Sequence, residues 1–308
     1  MPNRIIKNYS LITAIGTPLA EEDSLHVEGL EAQISDQWNN GITGLLVGGT
    51  MGMMQLLSDA AYRDLVDRSI EFSVGKGEVL IGAGDASYAR SRDRILFLNQ
   101  KKIDGIVVLS PYLLRFSQAE LVDYFTSLAE IARRPLYLYD LPVMTGTKLE
   151  LETVRTLGRH PNIAGIKCSG DIGTTRQLMD FNLPDFRVII AAADMIDTLM
   201  KWGVREHLDG IFAAAPEWIS GIARACVEGD WTAAAVLQQK VNALLRLVRE
   251  NGVAATFTLL MNARGVPGCF APRPYRLHDP RRAEMLLQAE VVRDLLRQES
   301  LESKATRV

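Results

Sequence analysis

The sequence predicts an α/β fold, a (β/α)8 TIM barrel followed by a C-terminal helical appendage. Short apolar runs typical of buried strands alternate with amphipathic segments of helical period, and eight such pairs fit within residues 1–228. Strands that are apolar throughout indicate a parallel sheet covered on both faces. From residue 229 onward only helical patterns follow. We therefore expect a barrel at 1–228 that carries the active site and an appendage at 229–308.

Each predicted strand is an apolar run bounded by turn residues. The strands are expected at Ser10–Gly16, Thr43–Gly48, Glu78–Gly84, Asp104–Ser110, Pro135–Asp140, Ile163–Lys167, Arg187–Ala191 and Gly210–Ala213. An open doubly wound sheet is the alternative, but it would need a glycine-rich phosphate turn after the first strand. Gly16-Thr17-Pro18-Leu19 is not such a turn, and this favours the closed barrel.

The predicted helices are amphipathic segments, some of which start with a capping residue such as Ser58. Those of the barrel are expected at Ser24–Asn40, Ser58–Val74, Ser87–Lys101, Gln118–Arg133, Leu149–Gly158, Thr174–Phe181, Ile196–Trp202 and Ile219–Glu228. Those of the appendage are expected at Trp231–Glu250, Val253–Arg264 and Pro280–Gln298.

Composition excludes several classes of function. A formal net charge of −3 on 308 residues leaves no basic patch for nucleic acid or an anionic membrane. The three cysteines are far apart, and no apolar signal segment or transmembrane run is present, so we expect a cytoplasmic protein. The four histidines are scattered without ligand spacing, and we therefore expect no catalytic metal.

Lys167 is the lysine whose setting needs an explanation. It ends the predicted sixth strand and precedes a Ser-Gly turn, whereas the other lysines lie in polar segments, helical patterns or near the ends of the chain. A buried ammonium is costly unless it is paired or neutralised. Burial lowers a lysine pKa from about 10.4 by roughly three pH units, which makes the amine available for a Schiff base. The alternative is a structural lysine that pairs with a carboxylate.

Polar or glycine-rich segments follow the predicted ends of several strands, where TIM barrels place their chemistry. Tyr137 and Tyr139 share one face of strand five because their positions differ by two. A lysine and a phenol at one end of the barrel supply a nucleophile and a proton carrier. The strand-end features are Thr17, the Gly48–Met53 loop, Tyr112, Tyr139 and Lys167.

These motifs resemble those of the pyruvate-type Schiff-base lyases and synthases, the family that includes dihydrodipicolinate synthase and N-acetylneuraminate lyase. They occur in family order from Tyr9 to Leu296. The matching segments are Gly16-Thr17-Pro18, Gly49-Thr50-Met51-Gly52, Ser110-Pro111-Tyr112, Tyr139-Asp140-Leu141-Pro142 with Thr145-Gly146, and Gly165-Ile166-Lys167-Cys168-Ser169-Gly170.

The resemblance implies that Lys167 forms an imine with the keto carbon of a 2-oxo acid and that Tyr139 moves the proton. Thr50 and the backbone around Met51 would hold the substrate carboxylate. It implies a homotetramer, a dimer of dimers, that needs neither a metal nor an organic cofactor. The partners expected are a small 2-oxo acid and an aldehyde, with no nucleic acid and no membrane. Further substrate-binding residues are expected at Thr17, Gly49, Met51, Tyr112, Met144 and Ile211.

The sequence also departs from the family pattern. Met51 replaces a hydroxyl residue, and Met53 replaces the loop glutamate. Leu113 replaces a tyrosine that reaches into the neighbouring subunit of the synthase, and Met144 replaces the arginine that binds the carboxylate of its aldehyde substrate. Methionine cannot reproduce a bidentate carboxylate contact. We therefore expect the second-substrate pocket to be apolar.

Four functions remain open from the sequence. The leading one is a Schiff-base lyase or aldolase that acts on pyruvate or another 2-oxo acid. A hydratase or dehydratase would use the same imine, and dihydrodipicolinate synthase proper would add aspartate semialdehyde as second substrate. The alternative outside catalysis is a barrel that only binds a 2-oxo acid. The presence of both Lys167 and Tyr139 argues against this last function.

Overall fold

The computed structural model describes residues 9–181, 183–275 and 280–305, with side chains described up to residue 297. Within these residues, eight parallel strands close a barrel in which every strand pairs with its neighbours in chain order. The predicted TIM-barrel class is confirmed, and helices follow the barrel as expected. The strands are β1 (Ser10–Ala14), β2 (Gly44–Val47), β3 (Glu78–Gly82), β4 (Gly105–Leu109), β5 (Leu136–Asp140), β6 (Ile163–Cys168), β7 (Arg187–Ile190) and β8 (Glu206–Asp209).

The helices surround the barrel and then extend beyond it. Ser58, Ser87 and Ser117 cap three of them through their hydroxyl oxygens. The barrel helices are α1 (Val27–Asn39), α2 (Asp59–Phe72), α3 (Tyr88–Leu98), α4 (Gln118–Ile131), α5 (Pro142–Thr145), α6 (Leu151–Leu157), α7 (Ile172–Met179), α8 (Ile196–Lys201) and α9 (Pro216–Glu228). The later helices are α10 (Trp231–Asn251), α11 (Val253–Ala263), α12 (Pro280–Leu287) and α13 (Glu290–Ala305).

The predicted position of the eighth strand is wrong. β8 is Glu206–Asp209, whereas the apolar segment expected to be the strand contains the 3-10 helix Ile211–Ala213. Glu206 and Asp209 carry charges inside β8, which hides the strand from a search for apolar runs. The charge of Glu206 is tolerated because the side chain pairs with Arg187.

The last predicted helix is also corrected. Pro280–Gln298 was expected to be continuous, but α12 ends at Leu287 and α13 begins at Glu290. Leu286, Val292 and Leu295 are fully buried on the two sides of this break. The break allows both short helices to turn apolar side chains toward the rest of the protein.

An ion network lies inside the barrel at the end where its strands begin. Arg187, the first residue of β7, donates hydrogen bonds to Glu78 of β3, Glu206 of β8 and the Tyr137 hydroxyl of β5. Burial by itself lowers the pKa of Arg187, but the hydrogen bonds to Glu78 and Glu206 outweigh it and raise that pKa. One guanidinium thus joins four of the eight strands.

The appendage begins where α9 ends. Gly229 terminates α9 in the left-handed conformation, and α10 then packs along α9. Arg264, directly after α11, pairs with Asp36 of α1 and Glu217 of α9. The division into domains at 1–228 and 229–308 remains a prediction. Among the described residues, no helix is long and apolar enough to cross a membrane.

We predict that Arg187→Met lowers the free energy of unfolding by about 3–5 kcal/mol, because two mostly buried carboxylates lose their counter-charge. Denaturant unfolding measures the effect. Arg159→Met, at an exposed position, is the matched control and is expected to change stability by about 0.5 kcal/mol or less. Equal effects of the two substitutions would contradict the structural role of Arg187.

Candidate active site

The centre of the candidate site is the contact between Lys167 and Tyr139. β5 and β6 are adjacent, and their register places these two residues side by side. The Lys167 Nζ atom lies 3.7 Å from the centre of the Tyr139 ring, and each residue is only 4% exposed. The electron-rich face of the ring attracts the ammonium, which offsets part of the cost of its burial.

The loop after β2 brings a hydroxyl to this pair. Thr50 Oγ1 lies 3.0 Å from the Tyr139 hydroxyl oxygen, so the two hydroxyls share a hydrogen bond. The loop crosses β3 closely, and a Cβ on Gly82 would lie 2.0 Å from the carbonyl oxygen of Gly48. Glycine at position 82 therefore permits the approach. Thr17 donates to the Gly52 carbonyl at 2.6 Å, which ties the loop after β1 to the loop after β2.

The predicted substrate-binding residues occupy different places around the pair. Gly49 lines a small cavity together with Thr50 and Tyr139. Met51 packs against Gly210, at the end of β8. Ile211 is buried in the cluster between barrel and helices rather than in the barrel interior.

Met144 lies outside this group. It is 56% exposed on the short helix α5, so the structure does not bring it to Lys167. Leu113, in the loop after β4, is 85% exposed and has a positive φ of 79°. Leu113 follows β4, and Met144 lies on α5, which follows the neighbouring strand β5. Both side chains are largely exposed within the described chain.

Tyr112 belongs to a second polar cluster. Its hydroxyl donates to Asp85 Oδ1 at 3.5 Å, and Arg90 and Arg94 each approach the same carboxylate at 2.9 Å. Burial and the Asp85 charge raise the pKa of the Tyr112 hydroxyl. Tyr112 packs against the barrel interior, but its hydroxyl points to Asp85 instead of joining the Thr50–Tyr139 pair.

Another charged cluster surrounds Asp140, which pairs in the sheet with Cys168, the residue after Lys167. Asp140, the last residue of β5, accepts from the Leu149 N–H at 3.1 Å, and the Lys148 ammonium lies 3.5 Å from its other oxygen. Burial raises the pKa of the Asp140 carboxyl, while the Leu149 N–H and Lys148 oppose the rise. Burial also raises the pKa of the Cys168 thiol, which disfavours the thiolate.

The sequence analysis missed Asp85 and Asp209. Asp85 follows β3, and Arg90 and Arg94 share one face of α3 because they are four residues apart, which is a signal that the sequence offered. Tyr112 follows β4 and is brought to Asp85 only by the fold. Asp209 ends β8, and burial raises its pKa while the Ile211 N–H and the charge of Lys167 lower it. A correct position for the eighth strand would have identified Asp209 as a strand-end residue.

Within 9–181, 183–275 and 280–305, no three His, Cys, Asp or Glu side chains come together in a group that could hold a metal ion. The candidate reactive groups are the Lys167 amine and, beside it, the hydrogen-bonded hydroxyls of Tyr139 and Thr50. This arrangement suits covalent catalysis with proton transfer.

Comparison with known proteins agrees with this chemistry. Residues 7–282 match the dihydrodipicolinate synthetase family. The chain is 32% identical over 219 residues to a 4-hydroxy-tetrahydrodipicolinate synthase from Exiguobacterium sp. strain AT1b, covering 71% of this chain and 75% of the relative.

Two solved structures share the fold. One is dihydrodipicolinate synthase from Aquifex aeolicus, with a TM-score of 0.85, 19% identity and coverage of 93% of this chain and 98% of that one. The other is a Sulfolobus 2-keto-3-deoxygluconate aldolase in complex with D-KDPG, with a TM-score of 0.85, 22% identity and coverage of 96% and 98%. The resemblance inferred from the motifs is confirmed. The chain belongs to the dihydrodipicolinate synthetase family, and it is a lyase of the Schiff-base class.

Proposed function

We propose that Lys167 is the residue through which this lyase forms an imine with pyruvate or another small 2-oxo acid. The observation that carries the proposal is the buried amine 3.7 Å from the Tyr139 ring, with Thr50 bonded to the Tyr139 hydroxyl at 3.0 Å. The amine attacks the keto carbon, and the carbonyl oxygen leaves as water. The resulting protonated imine withdraws electrons from the neighbouring carbon.

Tyr139 and Thr50 complete the proposed reaction. Tyr139 gives its proton to the hydroxyl that leaves as water when the imine forms, and it becomes a phenolate. In the cleavage direction, this phenolate takes the proton of the substrate hydroxyl as the carbon–carbon bond breaks, the aldehyde leaves, and the electron pair passes to the imine as an enamine. Protonation of the enamine carbon and hydrolysis of the imine then release the 2-oxo acid. Thr50, aided by the main chain at Met51, holds the substrate carboxylate and keeps the Tyr139 hydroxyl oriented.

The proposed second substrate is an aldehyde with an uncharged end. Met51, Leu113 and Met144 provide apolar side chains in the loops around the barrel mouth, and Met144 offers no charge to a carboxylate. Dihydrodipicolinate synthesis is the second candidate function, and the name of the Exiguobacterium relative favours it. A dehydratase would use the same imine and would be recognised by its products.

The assembly that we propose is a homotetramer in the cytoplasm. Four exposed apolar side chains support contact with another copy, since they occupy the loops after β4 and β5 at one end of the barrel. They are Leu113, Leu114, Val143 and Met144. The three cysteines are all free thiols, which supports a reducing compartment. No metal or organic cofactor is part of the proposal.

Borohydride trapping tests the nucleophile. Reduction in the presence of pyruvate is expected to add the pyruvate-derived mass to the peptide that contains Lys167, because borohydride reduces an imine to a stable amine. Lys167→Arg should abolish the adduct, whereas Lys148→Arg, at the nearby lysine, should retain it. An adduct on another lysine, or none with any small 2-oxo acid, would overturn the assignment.

Kinetics with two classes of aldehyde test the second substrate. We expect kcat/KM for aspartate semialdehyde to be below that for neutral aldehydes. Met144→Arg should raise the ratio of the two values by roughly 10- to 150-fold, the effect of one hydrogen bond to a charged group. Val74→Arg adds the same charge at an exposed position after α2, outside the proposed subunit contact, and should leave the ratio unchanged. Wild-type efficiency with the semialdehyde above about 10⁴ M⁻¹s⁻¹ would favour dihydrodipicolinate synthesis instead.

Light scattering tests the assembly. The wild-type chain is expected to be a tetramer at micromolar concentration, and Leu114→Asp should shift it to smaller species because the charge would be buried at the contact. Val74→Asp is the control, since Val74 is equally apolar and exposed but lies after α2. A monomeric, active wild-type enzyme would exclude the tetramer.

A further inference from the structure

One buried hydroxyl joins the loop after β1 to the loop after β2. Thr17 is 2% exposed, and its Oγ1 atom donates to the carbonyl oxygen of Gly52 at 2.6 Å. The two loops fit closely, because a Cβ on Gly52 would lie only 3.1 Å from Thr17 Oγ1 and from the Ile15 carbonyl oxygen. A hydroxyl has one proton to donate, so the Thr17 proton is committed within the protein.

Gly52 belongs to the turn that carries Thr50. The Met53 N–H donates to the Thr50 carbonyl oxygen at 3.2 Å and closes this turn. Met53 has a positive φ of 54°, a left-handed conformation that is unfavourable for a residue other than glycine. A strained turn keeps its shape only where the surrounding contacts hold it, and the hydrogen bond from Thr17 is such a contact.

The backbone directly before Thr17 is held by α1. The Gln33 side chain is fully buried, and its amide oxygen accepts from the Gly16 N–H at 3.0 Å. Its amide nitrogen donates to the Gly16 carbonyl oxygen at 2.9 Å. One side chain thus bonds to both polar groups of the Gly16 backbone, which fixes the start of the loop.

The appendage packs against the other side of the same loop. A Cβ on Gly16 would lie 2.6 Å from the Phe270 ring and 2.7 Å from the Phe257 ring, so both rings contact the backbone here. The two rings pack edge to face with their centres 5.3 Å apart. Leu19 and Cys269 also exchange backbone hydrogen bonds at 2.8 and 2.9 Å. The loop after β1 is therefore fixed from two sides.

This series of contacts ends at the reactive pair. Thr17 holds Gly52, and Thr50, in the same turn, lies with its Oγ1 atom 3.0 Å from the Tyr139 hydroxyl oxygen. Loss of the Thr17 hydroxyl would leave the buried Gly52 carbonyl without this donor and free the turn to relax. A displacement of about 1 Å at a reacting group can lower a rate on the order of 10²-fold.

We propose that Thr17 is a positioning residue for proton transfer, whose hydroxyl anchors the turn so that Thr50 keeps the Tyr139 hydroxyl oriented. This inference rests on the proposed function, in which Tyr139 moves the proton. It gives Thr17 a role through the loop after β2 rather than through a contact with the substrate.

Exchange of the pyruvate methyl protons for deuterium tests the chemical consequence, because it needs imine formation and proton transfer but no aldehyde. The Tyr139 phenolate takes a methyl proton as the imine becomes an enamine, and deuterium from heavy water returns to the carbon. Proton NMR follows the loss of the methyl signal. Thr17→Val keeps the shape of the side chain and should lower kcat of the exchange by roughly 10- to 100-fold. Thr17→Ser restores the hydroxyl and should retain most of the wild-type rate.

Thr13→Val is the matched control. Thr13 lies on β1, is fully buried and donates to Gln37 Oε1 of α1 at 2.8 Å. This variant also loses a buried hydrogen bond of a threonine hydroxyl, but it should leave kcat of the exchange unchanged. Equal losses of kcat in Thr13→Val and Thr17→Val would reflect general destabilisation and would overturn the proposal.

Amide hydrogen exchange of the free enzyme, measured by mass spectrometry, separates this proposal from the proposed function. Thr17→Val should speed amide exchange in the peptide that contains residues 48–54, whereas Thr17→Ser and Thr13→Val should not. An unchanged rate in Thr17→Val would show that the turn does not depend on Thr17, and it would overturn the proposal. Faster amide exchange with an undiminished kcat for the methyl protons would overturn it as well. A wild-type enzyme that neither exchanges these protons nor traps pyruvate on Lys167 would instead refute the proposed function, and amide exchange would still decide whether Thr17 anchors the turn.

Discussion

Closure of the parallel sheet into a barrel is the constraint on which the rest of this structure depends. In a closed barrel, every second residue of each strand must face the interior. β5 therefore turns both Tyr137 and Tyr139 inward, and β6 turns Lys167 inward beside Tyr139. The same alternation that builds the interior of the barrel thus brings the amine and the phenol into contact. The candidate site is a consequence of strand register as much as of the residues themselves.

The two ends of the barrel use buried charge in different ways. At the end where the strands begin, Arg187 is matched by Glu78 and Glu206, and the ion pairs connect β7 with β3 and β8. At the other end, the Lys167 Nζ atom lies over the Tyr139 ring. Burial raises the pKa of the nearby Asp209 carboxyl, and the charge of Lys167 opposes that rise. The two ends of the barrel therefore accommodate a buried cation differently, with carboxylates at one end and an aromatic ring at the other.

The loops at the strand ends hold the inner and the outer parts of the candidate site in different ways. Thr17 and Gly52 join the first two loops, and Thr50 joins Tyr139, so the part of the site nearest Lys167 is held by hydrogen bonds. Leu113 and Met144 lie farther out, and their side chains are exposed. Under the proposed function, these outer segments select the second substrate while the hydrogen-bonded inner part carries the imine chemistry.

The sequence by itself determined the fold class and the family, and it predicted that Lys167 and Tyr139 lie at one end of the barrel, because apolar strand periodicity and strand-end motifs are local in the chain. It placed β8 wrongly because Glu206 and Asp209 interrupt the apolar pattern, and the partner that makes Glu206 acceptable, Arg187, lies on another strand. Only the tertiary structure decided that Tyr112 turns to Asp85 and that Arg264 pairs with both Asp36 and Glu217. Each of these contacts joins residues from separate elements. Their distances are set by how helices and strands pack around the closed barrel, which no spacing along the chain records.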